Sequence, residues 1–316
     1  MTNIKFYFLT FLLSIFLLST LSASIEKTEK KSFNVKYGGD LLLDTDIGSI
    51  KINTHSSETI DVKIYLKAKT NDEEKAEKIF NAFEIVYDQS GPDLSITAEF
   101  KGSSSWFSDL FGGSKWNKLN VRFLVTVPEK YNVDLKTSGG GITVDDLNGL
   151  VDAKTSGGGL TFGNISGDIN GKTSGGGIVV GECSGDVNVK TSGGGIKIDK
   201  CEGSVKASTS GGGITVNEVY GPINASTSGG SVYASIHEQF SEDCSLTTSG
   251  GGVTVKIKEN INAFLDAKTS GGSVSSEIPV NFTGKTRSSS LKGDINSGGP
   301  KLYLRSSGGS IKVEAL

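Results

Sequence analysis

Apolar and polar residues alternate in short stretches along most of the chain, at fixed distances from a Thr-Ser-Gly-Gly motif. Apolar residues stand five and seven positions after the threonine, and again four and two positions before the next one. In the first unit these residues are Ile142, Val144, Val151 and Ala153. Alternation with a period of two indicates β-strands. Each unit therefore predicts a strand, a turn, a second strand and a glycine turn.

The motif recurs at a nearly constant interval. Its full copies begin at Thr137, Thr155, Thr173, Thr191, Thr209, Thr227, Thr248 and Thr269. The first five intervals are 18 residues, the next two are 21, and a final copy begins at Ser306. We interpret residues 288–290 as a degraded copy within the last gap. A sustained period of this kind is typical of repeat architectures.

Units this short predict a stacked fold, because two strands cannot enclose a core alone. Stacked coils place equivalent apolar residues above one another at about 4.8 Å and pair their strands in parallel. The predicted fold class is therefore all-β: a parallel β-solenoid with two short strands in each coil of 18 residues. We expect the motif glycines to adopt positive φ angles and to reverse the chain tightly. The alternative is a β-sandwich whose strands are connected by hairpins.

The segment before the first motif predicts a β-rich cap that contains one short helix. Residues 41–45, followed by 48–52, have the spacing of a repeat unit, with Thr45 in the place of the threonine. A helix is predicted over 71–80, with Asn71 as its cap. Solenoids need an atypical terminal unit of this kind to shield an exposed edge. Alternation predicts further strands at 60–68, 83–87, 94–100 and 119–127.

The N-terminus has the pattern of a secretory signal peptide over residues 1–24. Lys5 provides a basic start, an almost unbroken apolar run follows it, and small residues offer cleavage positions. The run is short for a membrane span, which needs about 20 residues, although an uncleaved anchor is the alternative. We therefore expect an exported protein, in the periplasm, on the outer surface or secreted, without a transmembrane span in the mature chain. That chain divides into an N-terminal cap at 25–135 and solenoid repeats at 136–316.

The composition argues against several function classes. Removal of Lys5 with the signal leaves 31 basic against 35 acidic residues, whereas nucleic-acid binders are normally basic. No cofactor or metal is predicted, because His55 and His237 share no register with the cysteines. The outward acids form no repeated pair, so we expect that the protein is not an enzyme.

Three cysteines remain after the signal. Cys183 and Cys201 each lie ten positions after their threonine, in consecutive units. Stacking brings their Cα atoms to about 4.8 Å, within the range of a disulfide, and export favours such a bond. The alternative is that both fill an apolar rung unpaired, since Ile165 and Val219 occupy the same place. Cys244 takes an inward place on the other strand, as a buried free thiol.

A row of lysines precedes the threonine in four successive units: Lys136, Lys154, Lys172 and Lys190. Alternation places them outward, as a line of positive charge along the rod. They are candidate binding residues for an anionic polymer such as an acidic glycan, which a linear array binds through multivalency. The alternative is a solvated face that deters lateral association. Asp134 and Asp152 on the same face partly neutralise the row.

Both tryptophans lie in one segment between predicted strands. Its aromatic residues are further candidates for binding a partner: Trp106, Phe107, Phe111 and Trp116. Exposed aromatic side chains stack on sugar rings, enter membrane surfaces or bind proteins. The alternative is that the segment folds over the cap and buries them.

The order of these features resembles the bacterial "putative adhesin" family of β-strand-repeat envelope proteins. The resemblance covers nearly all of the mature chain, and it implies a fold and an envelope location but supplies no catalytic residues. The matching stretches are Gly38-Gly39-Asp40-Leu41, Gly48-Ser49-Ile50-Lys51-Ile52, Val125-Thr126-Val127-Pro128, the Thr-Ser-Gly-Gly ladder, and Asn296-Ser297-Gly298-Gly299-Pro300 with Ser307-Gly308-Gly309-Ser310-Ile311.

We therefore expect an exported, non-catalytic structural or adhesion-like solenoid. Its surface would bind a glycan, a cell-envelope polymer or another envelope protein. Two alternatives stay open. One is a carbohydrate-active β-helix enzyme. The other is a scaffold that self-associates end to end through the C-terminal coil, because no cap is predicted after Val313 and an unpaired strand edge invites further strands.

Overall fold

The computed structural model describes residues 24–101, 118–282 and 287–316. Most of the signal segment and the aromatic candidates Trp106, Phe107, Phe111 and Trp116 lie outside these residues. The elements of the first part are β1 (Ile25–Asn34), β2 (Asp40–Thr45), β3 (Ser49–His55), β4 (Thr59–Ala68), α1 (Glu73–Ala82), β5 (Phe83–Ser90), β6 (Asp93–Phe100) and β7 (Leu119–Pro128).

The chain then winds in coils that contribute two strands each. The regular coils contain β8 (Asn132–Thr137), β9 (Ile142–Val144), β10 (Val151–Thr155), β11 (Leu160–Phe162), β12 (Ile169–Lys172), β13 (Ile178–Cys183), β14 (Val187–Lys190), β15 (Ile196–Cys201), β16 (Val205–Thr209), β17 (Ile214–Val219), β18 (Ile223–Thr227), β19 (Val232–Ile236), β20 (Cys244–Thr248) and β21 (Val253–Ile257). The last part contains β22 (Ala263–Thr269), β23 (Val274–Ser276), β24 (Val280–Asn281), β25 (Ser290–Ile295), β26 (Lys301–Ser306) and β27 (Ile311–Ala315).

Each coil contributes one strand to each of two long sheets. Sheet A has the order β1-β4-β7-β3-β9-β11-β13-β15-β17-β19-β21-β27-β23, and sheet B has the order β24-β25-β22-β26-β20-β18-β16-β14-β12-β10-β8-β2-β6-β5. Equivalent residues of consecutive coils face each other in parallel, as Val151 faces Ile169. The inward apolar residues form one continuous core. The predicted parallel β-solenoid is confirmed, since hairpins would pair β8 with β9 in one sheet.

The first coil of the chain, β2 and β3, is the second coil of the stack. β2 pairs with β8 and places Thr45 beside Thr137, which confirms the repeat spacing predicted for this segment. On the other side, β2 pairs with β6 and β3 pairs with β7. The chain therefore adds one coil outside the first before it continues the stack in the opposite direction.

The last coil of the chain also lies one place in from the end of the stack. β26 pairs with both β20 and β22, and β27 pairs with both β21 and β23. The expectation of an open edge at the C-terminal coil is therefore wrong, because β27 is hydrogen-bonded on both sides.

The prediction of a degraded repeat copy at 288–290 is wrong as well. β25 begins at Ser290 and runs antiparallel to β22, so this segment adds an end strand rather than a coil.

Antiparallel strands extend both ends of the stack. β4 pairs with β7, β1 with β4 and β5 with β6 at one end, and β25 pairs with β22 and β24 with β25 at the other. β1 and β5 then meet across the gap between the sheets. The rings of Phe33 and Tyr87 lie 5.5 Å apart, and Gln89 Nε2 donates a hydrogen bond to Asn34 O at 2.7 Å. These contacts shield the N-terminal end of the core.

The one helix of the described residues begins two residues later than predicted. Asp72, rather than Asn71, is its N-cap, and the Asp72 carboxylate accepts a hydrogen bond from the backbone N–H of Lys75 at 3.1 Å. Ile79 and Phe80 are buried on its inner face. Within the described ranges, no helix is long and apolar enough to cross a membrane.

The motif threonines are buried and connect each coil to its neighbour. Each hydroxyl donates to the carbonyl oxygen of the second motif glycine in the adjacent coil, and an unpaired buried carbonyl would cost about 1–3 kcal/mol. Ser306 does the same in the last copy. These bonds are 2.6–2.8 Å long: Thr137 to Gly48, Thr155 to Gly140, Thr173 to Gly158, Thr191 to Gly176, Thr209 to Gly194, Thr227 to Gly212, Thr248 to Gly230, Ser306 to Gly251 and Thr269 to Gly309.

The second motif glycine is required because neighbouring turns approach closely. A Cβ atom on Gly140 would lie 2.1 Å from the carbonyl oxygen of Gly48. The expectation of positive φ is wrong for the Thr-Ser-Gly-Gly copies, since no glycine of these copies has a positive φ. Gly48 in the first coil does have one, with a φ of 115°. In the motif, glycine therefore provides close contact between coils rather than a left-handed turn.

We predict that Gly140→Ala lowers the free energy of unfolding by about 3 kcal/mol, because the added methyl group forces two coils apart. Gly139→Ala is the matched control in the same turn. Its Cβ would meet no atom closer than 4.0 Å, so we expect a change within about 0.5 kcal/mol. Equilibrium denaturation of both variants makes the comparison. Equal effects would show that backbone freedom, and not contact between coils, selects glycine here.

Candidate functional site

The outer face of sheet B carries the predicted lysines in one continuous line. Lys154 faces Lys136 on one side and Lys172 on the other, and Lys172 faces Lys190. Their Cα atoms therefore follow one another at about 4.8 Å. We call these four residues the lysine column. The same line continues along the stack through Ser208, Ser226, Thr247, Arg305 and Lys268.

Three of the four lysines in the column lie outside ion-pair distance of every described acidic residue. Lys136 Nζ lies 3.2 Å from Asp134 Oδ2. Lys154, Lys172 and Lys190 are exposed and form no ion pair with any residue that the structure describes. Two unit charges 4 Å apart repel by about 1 kcal/mol in water, and like charges directly opposite on neighbouring strands destabilise a sheet. The column thus carries a repulsion that the fold itself does not require.

A line of acidic and amide side chains runs beside the lysine column. Asp152 faces Asp134 on one side and Asn170 on the other. The pKa of Asp152 is raised because its carboxylate is partly desolvated and lies next to Asp134, while Lys136 and Lys154 oppose the shift. Asp134 Oδ1 is buried and accepts no hydrogen bond from the described part of the chain. The exposed carboxylate of Asp152 therefore keeps acceptor atoms for a donor outside the protein, whereas Asp134 Oδ1 is out of reach of solvent.

A groove of about 490 Å³ opens on the same face and combines these carboxylates with apolar side chains. Leu42 and Leu150 line it together with four aspartates, Asp40, Asp134, Asp152 and Asp168. The side chain of Leu150 is held outward, 53% exposed, while its backbone N–H donates to Asn132 Oδ1 at 2.9 Å. We call this feature the Leu150 groove.

Leu150 interrupts a ladder of side chains that accept backbone hydrogen bonds between coils. Asp168 Oδ1 accepts from the N–H of Asp186 at 2.9 Å, and Asp186 Oδ1 accepts from the N–H of Ser204 at 2.7 Å. Leucine offers no acceptor. Leu150 is not among the candidates predicted from the sequence, although comparison of one position across the repeats would identify it. Five residues before the threonine place, consecutive coils carry Asp40, Asn132, Leu150, Asp168 and Asp186.

Cys183 and Cys201 face each other in consecutive coils, and both are buried free thiols. The thiol of Cys183 lies 3.2 Å from Gly167 O, and that of Cys201 lies 3.4 Å from Gly185 O. A hydrogen bond from Cys201 lowers the pKa of Cys183, while the same contact and burial raise the pKa of Cys201. Cys244 is also a buried free thiol, and burial raises its pKa to about 11.

Several outward acids on the other side of the coil stabilise the stack. Asp145 Oδ2 lies 3.2 Å from Lys51 Nζ in the neighbouring coil. Asp146 Oδ1 accepts a hydrogen bond from the backbone N–H of Asn164 at 2.7 Å. Among the residues that the structure describes, no group of three or more His, Cys, Asp or Glu side chains is placed to hold a metal ion.

Residues 39–314 match the family model described as Toastrack DUF4097. No curated protein matches the chain. Three solved structures each align with 92% of this chain. A "putative cell adhesion protein" from Clostridium sporogenes is 14% identical over 100% of that chain, with a TM-score of 0.23. A "putative adhesin" from Bacteroides fragilis is 15% identical over 97% of that chain, with a TM-score of 0.35. A "putative lipid binding protein" from Parabacteroides distasonis is 10% identical over 96% of that chain, with a TM-score of 0.35.

We predict that Asp152→Asn stabilises the fold at neutral pH by about 0.5 kcal/mol, because it removes one of two facing carboxylates. The raised pKa of Asp152 means that its ionised form disfavours folding. The gain should therefore appear as the pH rises above the ordinary Asp pKa of 3.8 and vanish well below it. Thermal unfolding across this pH range measures it. Asp145→Asn, which breaks the pair with Lys51, is the control and should give no gain; a gain there of equal size would contradict the explanation.

We predict that Cys183 and Cys201 form a disulfide when the chain folds with oxidised glutathione. The bond forms by thiol–disulfide exchange, and the two thiols reduce one glutathione disulfide to two glutathione thiols. Alkylation after unfolding without reductant, read by mass spectrometry, should then label Cys244 alone. In Cys183→Ser it should label both Cys201 and Cys244. Three labelled cysteines in the unaltered chain would show that the pair only fills the core.

Proposed function

The chain belongs to the Toastrack DUF4097 family, and we propose that it is an exported, non-catalytic, adhesion-like solenoid whose lysine column binds an anionic polymer of the cell envelope. The lysine column is the observation that carries this proposal. Its ammonium groups lie in register, and those of Lys154, Lys172 and Lys190 form no ion pair with a described residue, which costs stability. A bound polyanion would remove that cost.

The direction of the column suits a linear ligand. The lysines follow one another along the stack, so a polymer that lies along the rod meets one ammonium group in each of four coils. Each exposed pair contributes only about 0.2–1 kcal/mol, but linked contacts act at a high effective concentration. The resulting affinity falls with ionic strength, because these groups lie in solvent.

The proposed location rests on the pattern of the N-terminus. Lys5, the apolar run and the small residues at 22–24 are typical of a secretory signal. An envelope polymer would then be the anionic partner that the mature protein meets. The aromatic segment remains a predicted second contact with the same partner, through Trp106, Phe107, Phe111 and Trp116.

The facing carboxylates do not favour a glycosidase. In such enzymes two carboxyl groups flank the scissile bond from opposite sides. Asp134 and Asp152 are neighbours in a parallel sheet, so their side chains leave the same face in the same direction. A sugar placed on this face would contact both from one side, which supports binding rather than hydrolysis.

We predict that replacement of the four column lysines by Gln weakens binding to polygalacturonate by about tenfold or more at low salt, because four ion pairs are lost together. Retention of residues 25–316 on the immobilised polymer, at increasing salt, measures this. A second variant without residues 102–117 tests the aromatic segment in the same assay.

The matched control replaces four exposed lysines outside the column, Lys27, Lys130, Lys258 and Lys312, with Gln. It changes the net charge by the same amount, so binding should stay within about twofold of the unaltered protein. Equal losses in the two variants would attribute binding to net charge alone. Unchanged retention of the column variant would overturn the proposed function.

A further inference from the structure

An exposed leucine stands where the fold uses hydrogen-bond acceptors in the neighbouring coils. Asn132 on one side and Asp168 on the other each accept a backbone N–H from the next coil. Leu150 breaks this rule, and its half-exposed side chain gains little from burial in return. Residues that contradict a local structural rule without compensation are expected at functional sites.

The groove beside Leu150 has the mixed lining of a small-ligand site. Its volume of about 490 Å³ lies within the usual range of roughly 300–1,000 Å³ for such sites. Leu42 and Leu150 offer apolar contact, while Asp134 and Asp152 offer carboxylate acceptors. A sugar ring has complementary parts, since its C–H groups form an apolar face and its hydroxyl groups donate hydrogen bonds to carboxylates.

The two aspartates argue against a site for polyanions in general. They lie beside the lysine column, and Asp134 Oδ2 is 3.2 Å from Lys136 Nζ. Their charges lie well within the screening length of about 8 Å and therefore weaken the attraction of the column for any anion. Asp152 is exposed, and its carboxylate has no hydrogen-bond donor among the described residues. Both features are accounted for if the ligand brings hydroxyl donors together with its negative charge.

We propose that the Leu150 groove binds a sugar ring of an acidic polysaccharide whose carboxylates contact the lysine column. Leu150 and Leu42 contact the apolar face of the ring, and Asp134 and Asp152 accept hydrogen bonds from its hydroxyl groups. This inference rests on the proposed function, because it takes the polymer to lie along the column. It narrows the partner from a polyanion to a polysaccharide.

The first test is Leu150→Asn, which leaves the charge unchanged and restores the pattern of the ladder. Binding to polygalacturonate should weaken by about tenfold, as expected for the loss of an apolar contact. Binding to polyphosphate, a polyanion without sugar rings, should not change. The melting temperature should stay equal or rise. Val179→Asn is the matched control, because Val179 is 40% exposed on sheet A, and it should leave both polymers bound as before.

The second test is Asp152→Ala, for which the two polymers should respond with opposite sign. Loss of an acceptor weakens binding to polygalacturonate, whereas loss of a negative charge strengthens binding to polyphosphate. Isothermal titration calorimetry with each soluble polymer measures both. Stronger binding to both polymers would overturn the inference, since the groove would then contribute only charge.

The results also separate this inference from the proposed function. If the column variant loses both polymers while Leu150→Asn loses neither, the lysine column binds polyanions and the groove does not recognise sugar. A fall in the melting temperature of Leu150→Asn with unchanged binding would show that Leu150 is structural. If the unaltered protein binds neither polymer, both proposals are wrong.

Discussion

The whole stack depends on the hydrogen bond from each motif threonine to a glycine carbonyl in the adjacent coil. Thr155 lies 2.6 Å from Gly140 because the turns of neighbouring coils nearly touch, and this approach requires Gly158 to have no Cβ, since a Cβ there would lie 2.5 Å from Gly140 O. The bond therefore fixes which residue of one coil faces which residue of the next. Alignment of the lysine column and the contact between Cys183 and Cys201 both follow from it.

The period of the apolar residues was sufficient to predict the coils and their register, because a parallel stack repeats one environment at every level. It could not predict which coils are neighbours at the ends. The copy that begins at Ser306 has the same motif as the copies at Thr248 and Thr269. The backbone hydrogen bonds between parallel strands are the same for every copy, so they do not determine which coils become neighbours. Tertiary packing, and not the repeat pattern, therefore determines that the last coil inserts between two earlier ones. The role of Gly140 was predicted wrongly for a related reason, since the close approach involves a neighbour in space and not in sequence.

The candidate site was predictable to a similar extent. Alternation along one strand places Lys154 outward, and the constant period places it beside Lys136 and Lys172, so the lysine column follows from the sequence. The Leu150 groove does not. It requires the first coil, with Leu42, to stack on the coil that begins at Asn132, and it requires the side chain of Leu150 to lie outward beside Asp152. Both depend on side-chain packing, which periodicity does not describe.

A solenoid gives a binding surface two properties that a compact fold lacks. The inward rungs and the threonine bonds carry the stability, so outward positions such as Lys154 and Leu150 can change without loss of the core. Equivalent outward positions are also repeated along one axis, so a weak contact becomes strong when the ligand repeats as well.

The lysine column tolerates facing ammonium groups because the core residues beneath the column are apolar, with Ile169 and Val187 buried. A repulsion of about 1 kcal/mol for each pair is then small against the stack, and the proposed polyanion would relieve it.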